Sequence, residues 1–269
     1  MKYLNIKKIN EIKKNGFVKI QNFLSLKETL KYKNLVLKTY NLLKVKNYKG
    51  VPKRDSKDKI IYNLQNKDYE FIKLISKKKV LDIAKYFLND PYYRFIKNTK
   101  PNFNLLYFNA RSSGKDLDLH IDCHLPFKGR KTNMMQFVFL LENSDINNGC
   151  TKVVPGSHLS GSFSNRQSKK VKPLAGEAGD LIIWDSRLWH GTYENLSKET
   201  RWAIVVTFGS WWLKPSMDIT KSLPNSIYRK CNNTQKQILG FCSIPPKDEF
   251  ERINTKTGYK DLKKNVYDY

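Results

Sequence analysis

The chain has 269 residues, and its content of 40% hydrophobic and 13% aromatic side chains is typical of a folded protein and excludes a disordered one. Its 50 lysines and arginines outnumber 24 acidic residues, which gives a formal net charge of +26 at pH 7. Because the lysines are spread over nearly all segments, this charge does not outline a nucleic-acid surface, and we predict no nucleic-acid partner.

The N-terminal part of the chain is predicted to contain helices and one short strand. The segment Met1–Lys14 is charged and lacks the apolar stretch of a signal peptide, and no apolar run reaches the length of a membrane span, so we expect a cytoplasmic protein. Ser25 and Glu28 have the spacing of a capping box, which predicts a helix start. The predicted elements are an amphipathic segment at Ile6, Ile9 and Ile12, a strand over Phe17–Ile20, a helix from Ser25 to about Leu43, and a helical region from about Asp68 to Leu88 that Asn89-Asp90-Pro91 ends.

From Tyr92 onward, short apolar runs punctuated by Gly, Asn and Ser predict the strands of a sandwich or barrel. We therefore expect one domain over residues 1–269, mainly β with flanking helices. Residues 1–91 would form a mainly helical support, residues 92–210 the β core, and residues 211–269 a C-terminal extension with a short helix around Gln235–Leu239. The predicted strands are Leu105–Asn109, Leu117–Cys123, Met134–Leu141, Thr151–Val154, Leu181–Trp184 and Trp202–Phe208.

Three side chains have the chemistry of a metal site. His120 and Asp122 lie two residues apart in the predicted strand Leu117–Cys123, so their side chains would share one face and hold one ion together. His190 closes the apolar, strand-like run Leu181–His190, and a jelly roll can bring two such distant strands within coordination distance. Two imidazoles and one carboxylate form the facial triad of non-haem Fe(II) oxygenases, which leaves metal positions open for other ligands.

Three further residues are candidates for holding a carboxylate co-substrate. Arg201 opens the predicted strand that returns after His190, where its guanidinium could pair with a carboxylate; alone, it would be interpreted as a surface cation. Thr192 lies two residues beyond His190 and would share its face if the strand continues. Gln136 is the strongly polar member of one face of the run Asn133–Glu142, and it could equally satisfy a buried backbone group.

The remaining histidines and the four cysteines are predicted to be structural. His124 precedes Leu125-Pro126, which biases the chain away from regular pairing, and His158 lies in a Pro-Gly-Ser-His turn. The cysteines show no Cys-x-x-Cys spacing, so we expect reduced thiols. Two loops, Lys44–Lys59 and Ser160–Lys172, are expected to shape substrate access, and basic loops there would favour an anionic substrate.

Taken in order, several segments of the chain resemble the phytanoyl-CoA dioxygenase family of Fe(II)/2-oxoglutarate oxygenases, over most of its length. No single segment is decisive, but their ordered co-occurrence is specific. The segments are Gly16–Ile20 before Phe23–Ser25, then His120–Asp122, Asn148–His158 and Ala178–Asp185, followed by His190 and Arg201.

The resemblance implies a double-stranded β-helix, or cupin-like jelly roll, with iron held by His120, Asp122 and His190. It also implies that Arg201 and Thr192 hold the far carboxylate of 2-oxoglutarate. Such enzymes use Fe(II), 2-oxoglutarate and O2, with ascorbate as a supporting reductant, and couple the release of succinate and CO2 to substrate oxidation. Related halogenases replace the acidic ligand, so the acidic ligand kept here implies hydroxylation of a small-molecule or carrier-linked metabolite.

Two other classes of function remain open from the sequence. Zn(II) also accepts two histidines and a carboxylate with an open position, as in a hydrolase, but that interpretation leaves Arg201 unexplained. A non-enzymatic, basic nucleic-acid-binding protein would explain the charge and make the ordered motifs accidental. Each class predicts a different result. An oxygenase would turn over 2-oxoglutarate in an oxygen-dependent reaction, a zinc enzyme would hydrolyse its substrate without oxygen, and a nucleic-acid-binding protein would retain DNA or RNA in a salt-sensitive way.

Overall fold

The computed structural model describes residues 4–45, 58–92, 96, 99–112, 114–197, 199–245 and 248–250. Backbone contacts separate the chain into two compact units, one formed by residues 1–63 and 108–206 and the other by residues 64–107 and 207–269. The single domain expected from the sequence therefore stays a prediction. Most of the basic loop predicted over Lys44–Lys59 lies outside the described residues.

The helices and strands follow the predicted order, with helices before and after a β-rich middle. The α-helices are α1 (Ile6–Asn15), α2 (Leu26–Val45), α3 (Tyr69–Ile75), α4 (Lys78–Leu88), α5 (Ile219–Ser222), α6 (Asn225–Tyr228) and α7 (Asn233–Ile238). The strands are β1 (Phe17–Ile20), β2 (Lys59–Tyr62), β3 (Phe103–Ser112), β4 (Leu117–His120), β5 (Met134–Leu140), β6 (Thr151–Val153), β7 (Lys172–Leu174), β8 (Leu181–Asp185), β9 (His190–Thr192) and β10 (Ala203–Ser210).

Capping residues set the boundaries of the first two helices. Helix α1 ends at Asn15 and is capped by Gly16, whose φ of +87° is costly for other residues and whose N–H donates to the Ile12 carbonyl. The capping box predicted before α2 is confirmed, because the Ser25 N–H donates to Glu28 Oε2 at 2.9 Å and the Glu28 N–H donates to Ser25 Oγ at 3.3 Å.

The helical region predicted over Asp68–Leu88 consists of two helices. The Asp68 side chain caps the N-terminus of α3 by accepting a hydrogen bond from the Glu70 N–H. Lys77 then adopts an extended ψ of 135°, which breaks the helical path before α4 begins. A period-based prediction does not detect this break, because apolar residues keep a helical spacing on both sides of it.

The strands form two antiparallel sheets, as expected for a mainly β fold with flanking helices. One sheet has six strands in the order β1-β8-β5-β10-β3-β2, and the other has four in the order β4-β9-β6-β7. A buried apolar cluster with members from both sheets lies between them. This arrangement brings β4 and β9, which carry the two histidines predicted to bind metal, next to each other. The buried members of the cluster are Val138, Leu140, Val153, Leu174, Ile182, Trp184, Leu188 and Ala203.

One strand prediction near the site was wrong in its bounds, and one strand-like run is divided by a turn. The strand predicted over Leu117–Cys123 ends at His120, because the Asp122 and Cys123 N–H groups donate to the carbonyl of Ser186 and leave the ladder. The run Leu181–His190 is not one strand: β8 ends at Asp185 and β9 begins at His190. A turn separates them, closed by a 2.8 Å hydrogen bond from the Leu188 N–H to the Asp185 carbonyl.

The second unit has its own aromatic and polar core. Phe103 and Phe208 pack edge to face with ring centroids 5.1 Å apart. The Trp211 indole N–H donates to Asp90 Oδ2 at 3.0 Å, and the Asn102 side chain donates to the Asp90 carbonyl at 2.7 Å. Within the described part of the chain, no helix is both long and apolar enough to cross a membrane.

Candidate metal centre

The three side chains predicted to bind metal converge in the first unit. His120, Asp122 and His190 each offer a donor atom, and these atoms lie within 4.8 Å of one another. His190 Nε2 is 3.2 Å from Asp122 Oδ2, and His120 Nε2 is 3.7 Å from Asp122 Oδ1. Among the described residues, this is the group of three or more His, Cys, Asp or Glu side chains close enough to hold a metal ion.

Strand register places the two histidines opposite each other. In the antiparallel pair of β4 and β9, His120 is the partner of His190 and Leu117 is the partner of Thr192. The register shifts between these two pairs, so β4 contains a bulge between Leu117 and His120. Asp122 reaches the same point from the loop after β4, which the Ser186 carbonyl holds in place.

Backbone carbonyls orient both imidazoles. His120 Nδ1 is 2.9 Å from the Asp118 carbonyl, and His190 Nδ1 is 2.9 Å from the Leu188 carbonyl. Since a carbonyl only accepts hydrogen bonds, each Nδ1 carries the proton, and a neutral ring then has its lone pair on Nε2. Both Nε2 atoms lie on the Asp122 side, which is the arrangement that a bound cation requires.

The electrostatics keep the carboxylate charged. Burial raises the pKa of Asp122, but the charge of His190 and its hydrogen bond, followed by the charge of His120, outweigh this and lower the pKa to about 2. Burial lowers the pKa of His190, yet the attraction of Asp122 raises it overall. For His120, burial and the charge of His190 together lower the pKa. An ionised carboxylate beside two imidazoles is a donor set ready for a divalent cation.

Gln136 contacts the carboxylate of the donor group. Its side-chain Nε2 donates to Asp122 Oδ2 at 2.7 Å, so this contact differs from both roles considered from the sequence. An aspartate carboxylate that accepts a hydrogen bond from a neighbouring side chain is held in one orientation toward a bound metal. The role of Gln136 toward a co-substrate stays a prediction.

Arg201 is buried, which overturns the interpretation as a surface cation. Its side chain lies two residues before β10 and the residue is 8% exposed. Its Nε and Nη2 atoms have no hydrogen-bond acceptor among the described residues. Burial lowers the pKa of Arg201 to about 10, so it is still charged at neutral pH. A buried guanidinium with unpaired donors is stabilised by an anionic ligand.

The hydroxyl of Thr192 is already hydrogen-bonded within the protein. It donates to the Lys115 carbonyl at 3.2 Å. The residue lies in β9 two positions after His190, as the sequence predicted. Its contact with a co-substrate stays a prediction, and because a carboxylate only accepts hydrogen bonds, the hydroxyl would have to donate to it instead of to the Lys115 carbonyl.

Arg111 is a second arginine near the metal group, and its presence there was not predicted from the sequence. Its charge opposes protonation of both His120 and His190 and helps to lower the pKa of Asp122. Its Nε donates to Asn109 Oδ1 at 2.8 Å. The predicted strand stopped at Asn109, whereas β3 continues to Ser112 and carries Arg111 to the site. A cation at the end of an apolar run was the signal that could have identified it.

The turn between β8 and β9 forms a buried ionic network, which we call the Asp185–Arg187 clamp. Arg187 Nε and Nη2 donate to Asp185 Oδ1 and Oδ2 at 2.9 and 2.7 Å, and both residues are 3% exposed. Arg187 Nη1 donates to the carbonyls of Phe127 and Gly129. The residue between the pair, Ser186, accepts the Asp122 N–H, so the clamp holds the loop that follows the metal group.

The prediction of a buried, structural histidine is confirmed for His158 and is wrong for His124. His158 is buried, with Nε2 3.3 Å from the Lys13 carbonyl, and a Cβ atom on Gly16 would lie 2.7 Å from its Nδ1. His158 therefore packs the C-terminal end of helix α1 against the Pro-Gly-Ser-His turn. His124 is exposed and is not part of the donor group. The four cysteines are free and buried, as expected for reduced thiols.

A cavity of about 410 Å³ opens beside the metal group. Arg166, from the predicted access loop Ser160–Lys172, lines this cavity. Its Nη1 atom lies 3.5 Å from Asp118 Oδ2. The loop is attached to the sheet through Ser164 Oγ, which donates to the Leu119 carbonyl at 2.6 Å, and through the Trp189 indole, which donates to the Ser162 carbonyl at 3.2 Å. The lining residues are Asp116, Leu117, Asp118, Leu119, His120 and Arg166.

Gly191 permits the bulge of β4, and Gly191→Ala is expected to weaken metal binding. A Cβ atom there would collide with the Leu117 carbonyl oxygen and lie 3.0 Å from the Asp118 carbonyl, which accepts from His120 Nδ1. We expect a loss of roughly 1–3 kcal/mol in the free energy of unfolding and weaker binding of Ni(II), measured by urea denaturation and calorimetric titration. Gly209→Ala, in the second unit, is the matched control, and equal Ni(II) affinity in Gly191→Ala would contradict this role.

Comparisons with known proteins give the family. The sequence profile of the phytanoyl-CoA dioxygenase family matches residues 12–203. A mycobacterial relative, an uncharacterized protein of Mycobacterium tuberculosis, is 27% identical over 130 residues, which are 47% of this chain and 48% of the relative. The dioxygenase af480 of Aspergillus fumigatus is 23% identical over 190 residues, 68% of this chain and 59% of that enzyme. The chain thus spans about half of the mycobacterial relative's length.

Solved structures show the same fold. HygX from Streptomyces hygroscopicus, with nickel, 2-oxoglutarate and hygromycin B bound, superimposes with a TM-score of 0.60 at 14% identity, over 78% of this chain and 89% of HygX. EctD from S. alaskensis with bound Fe gives a TM-score of 0.64 at 14% identity, over 78% of this chain and 79% of EctD. The jelly roll expected from the sequence is confirmed, and since the family profile covers more than half of its residues, the chain belongs to the phytanoyl-CoA dioxygenase family.

Proposed function

We propose that this protein is an Fe(II)/2-oxoglutarate-dependent dioxygenase that hydroxylates a small-molecule or carrier-linked metabolite. One observation carries the proposal: two imidazoles and a carboxylate converge in the same unit as a buried arginine whose donors have no acceptor among the described residues. The first group suits Fe(II), and the second suits a dicarboxylate. Family membership gives the two features a common purpose.

The donor atoms present fit the proposed metal. His120, Asp122 and His190 would hold Fe(II) on one side and leave positions for exogenous ligands. When bound, iron with 2-oxoglutarate and O2 supplies the oxidising power for hydroxylation, with release of succinate and CO2. Gln136 and the two backbone carbonyls would keep the three ligands oriented, and ascorbate would keep the iron reduced.

Arg201 would hold the far carboxylate of 2-oxoglutarate. Burial supports this role, because a charge-assisted hydrogen bond is stronger where water does not compete for it. Thr192, two residues after His190, would contribute its hydroxyl to the same carboxylate. Gln136 would lie at the iron end of the co-substrate, where its amide already contacts Asp122.

Arg201→Ala is expected to weaken 2-oxoglutarate binding by about 1.5–3 kcal/mol, the value of one charge-assisted contact. The measurement is a calorimetric titration of the Ni(II)-loaded protein with 2-oxoglutarate under anaerobic conditions. Ni(II) affinity should be retained, because the guanidinium is not in the donor group. Arg166→Ala, which removes an exposed arginine of the access loop, is the control, and unchanged 2-oxoglutarate affinity in Arg201→Ala would reject the assignment.

The prime substrate would enter through the cavity beside β4. The cavity presents the carboxylates of Asp116 and Asp118 as well as the guanidinium of Arg166, so its charge is mixed. An anionic substrate, as the net charge suggested, would have to pair with Arg166 or Arg111. A metabolite library scored for succinate formed above the uncoupled background tests which class enters.

The alternatives are less well supported. A zinc hydrolase has no use for a buried arginine that lacks an acceptor, and a nucleic-acid-binding protein has no use for the converging donor group. Conversion of 2-oxoglutarate to succinate that requires Fe(II) and O2, and that stops when Zn(II) replaces iron, is the expected result. Hydrolysis without oxygen would instead favour the zinc enzyme. Localisation in the cytoplasm remains part of the proposal.

A further inference from the structure

Trp184 is a second buried donor that lacks an acceptor. The residue is 4% exposed in β8, and its indole Nε1 has no hydrogen-bond partner among the described residues. Its ring centroid lies 5.1 Å from that of His190. In the sheet it is the register partner of Gln136, whose amide donates to Asp122. Trp184 therefore lies beside two residues of the metal centre.

The surroundings of this indole do not explain its N–H group. The ring belongs to an apolar cluster with Val138, Leu188 and Ala203, in which a phenylalanine would pack without an N–H to satisfy. An indole N–H can only donate, and burying it without an acceptor costs about 1–3 kcal/mol. Buried donors of this kind normally have a partner, so the missing acceptor points to a bound ligand.

Three unpartnered donor atoms of the first unit then describe one ligand. The Trp184 ring packs against His190 of the metal centre and contributes Nε1, and the positively charged guanidinium of Arg201 contributes Nε and Nη2. A ligand that satisfies all of them needs oxygen acceptors at separate positions and at least one negative charge. A dicarboxylate that bridges the metal and the arginine has this chemistry.

We propose that the Trp184 indole N–H donates a hydrogen bond to an oxygen of 2-oxoglutarate bound at the metal centre. This inference rests on the proposed function and gives a binding role to a residue of the segment Ala178–Asp185 to which the sequence had assigned none. The indole would then distinguish the co-substrate from ligands that lack an oxygen at this place. Its contact with His190 fixes the ring, so the N–H is oriented before the ligand arrives.

Trp184→Phe tests the proposal, because it keeps an aromatic ring and removes the donor. Calorimetric titration of the Ni(II)-loaded, anaerobic protein with 2-oxoglutarate should show about tenfold weaker binding than wild type. Ni(II) affinity should stay within twofold. In the absence of metal and co-substrate, the variant should unfold at the same or a higher urea concentration than wild type, because the unsatisfied donor is gone.

Trp211→Phe is the matched control, since that indole N–H already donates to Asp90 and lies in the second unit. It should leave 2-oxoglutarate affinity unchanged. Equal 2-oxoglutarate affinity in Trp184→Phe and wild type would overturn the inference while leaving the proposed function intact. Weaker Ni(II) binding in Trp184→Phe would overturn it too, because the ring would then act through His190.

The wild-type protein offers a test that needs no folded variant. With Zn(II) as a diamagnetic metal, the indole N–H resonance of Trp184 should move on addition of 2-oxoglutarate, and an unmoved resonance would overturn the assignment. Wild-type protein that binds metal but no 2-oxoglutarate would contradict the proposed function itself, and the inference with it. The two failures are therefore distinguishable in one titration series.

Discussion

Asp122→Ala is expected to abolish turnover of 2-oxoglutarate, with activity at the level of a metal-free blank. The residue contributes the anionic ligand of the donor group, and its carboxylate lies between both histidines. Without it, the two imidazoles supply no negative charge to offset the charge of a divalent cation, and the charge of His190 already lowers the pKa of His120. The measurement pairs succinate formation with Ni(II) or Fe(II) binding, and both should be lost together.

Asp82→Ala is the control for this variant, because that aspartate forms exposed ion pairs on helix α4 and lies outside the metal group. It should keep full metal affinity. Circular dichroism of Asp122→Ala should match wild type, which separates loss of a ligand from loss of the fold. Metal binding and turnover that persist in Asp122→Ala would reject the triad.

Arg187→Ala is expected to lower the free energy of unfolding by about 3–5 kcal/mol, which is the usual cost of leaving one member of a buried ion pair without its partner. The variant would leave the Asp185 carboxylate buried without its bidentate partner. It would also free the carbonyls of Phe127 and Gly129, which Arg187 Nη1 now satisfies. Urea denaturation measures the change.

A double-mutant cycle identifies the cause. The double variant Asp185→Leu/Arg187→Met replaces both charges by apolar side chains. Its loss in the free energy of unfolding should be much smaller than the sum of the losses in the single variants Asp185→Leu and Arg187→Met. Losses that add would contradict the clamp. Because Ser186 lies between the pair and accepts from the Asp122 N–H, Arg187→Ala should also weaken Ni(II) binding in the fraction that remains folded.

The donor group could be predicted because its chemistry is rare in this sequence. The chain has four histidines, and the two of the donor group were identified by their spacing from an aspartate and by an arginine that follows at the start of a predicted strand. Residue type and order along the chain were enough for that choice. The mainly β architecture was also predictable, because short apolar runs alternate with turn residues.

The details that position the group depend on contacts between distant segments. The sequence gives no sign that Asp122 leaves the strand to pair with the turn after β8, or that β4 contains a bulge over Gly191. Arg111 and Trp184 were missed for the same reason, since each looks like an ordinary member of an apolar strand. Only the tertiary arrangement reveals a charge beside the metal ligands or a donor without an acceptor.

The position of β4 at the edge of its four-stranded sheet has a thermodynamic consequence. Its last residue, His120, faces His190 in the neighbouring strand, so an ion bound to both would cross-link the sheet margin to its interior. By mass action, each tenfold rise in free ion concentration above the dissociation constant then adds about 1.4 kcal/mol to the stability of the folded state. Folding of this margin and loading of the cation would thus be linked equilibria, so the concentration of free ion in the surroundings would set the fraction of molecules that are folded and loaded.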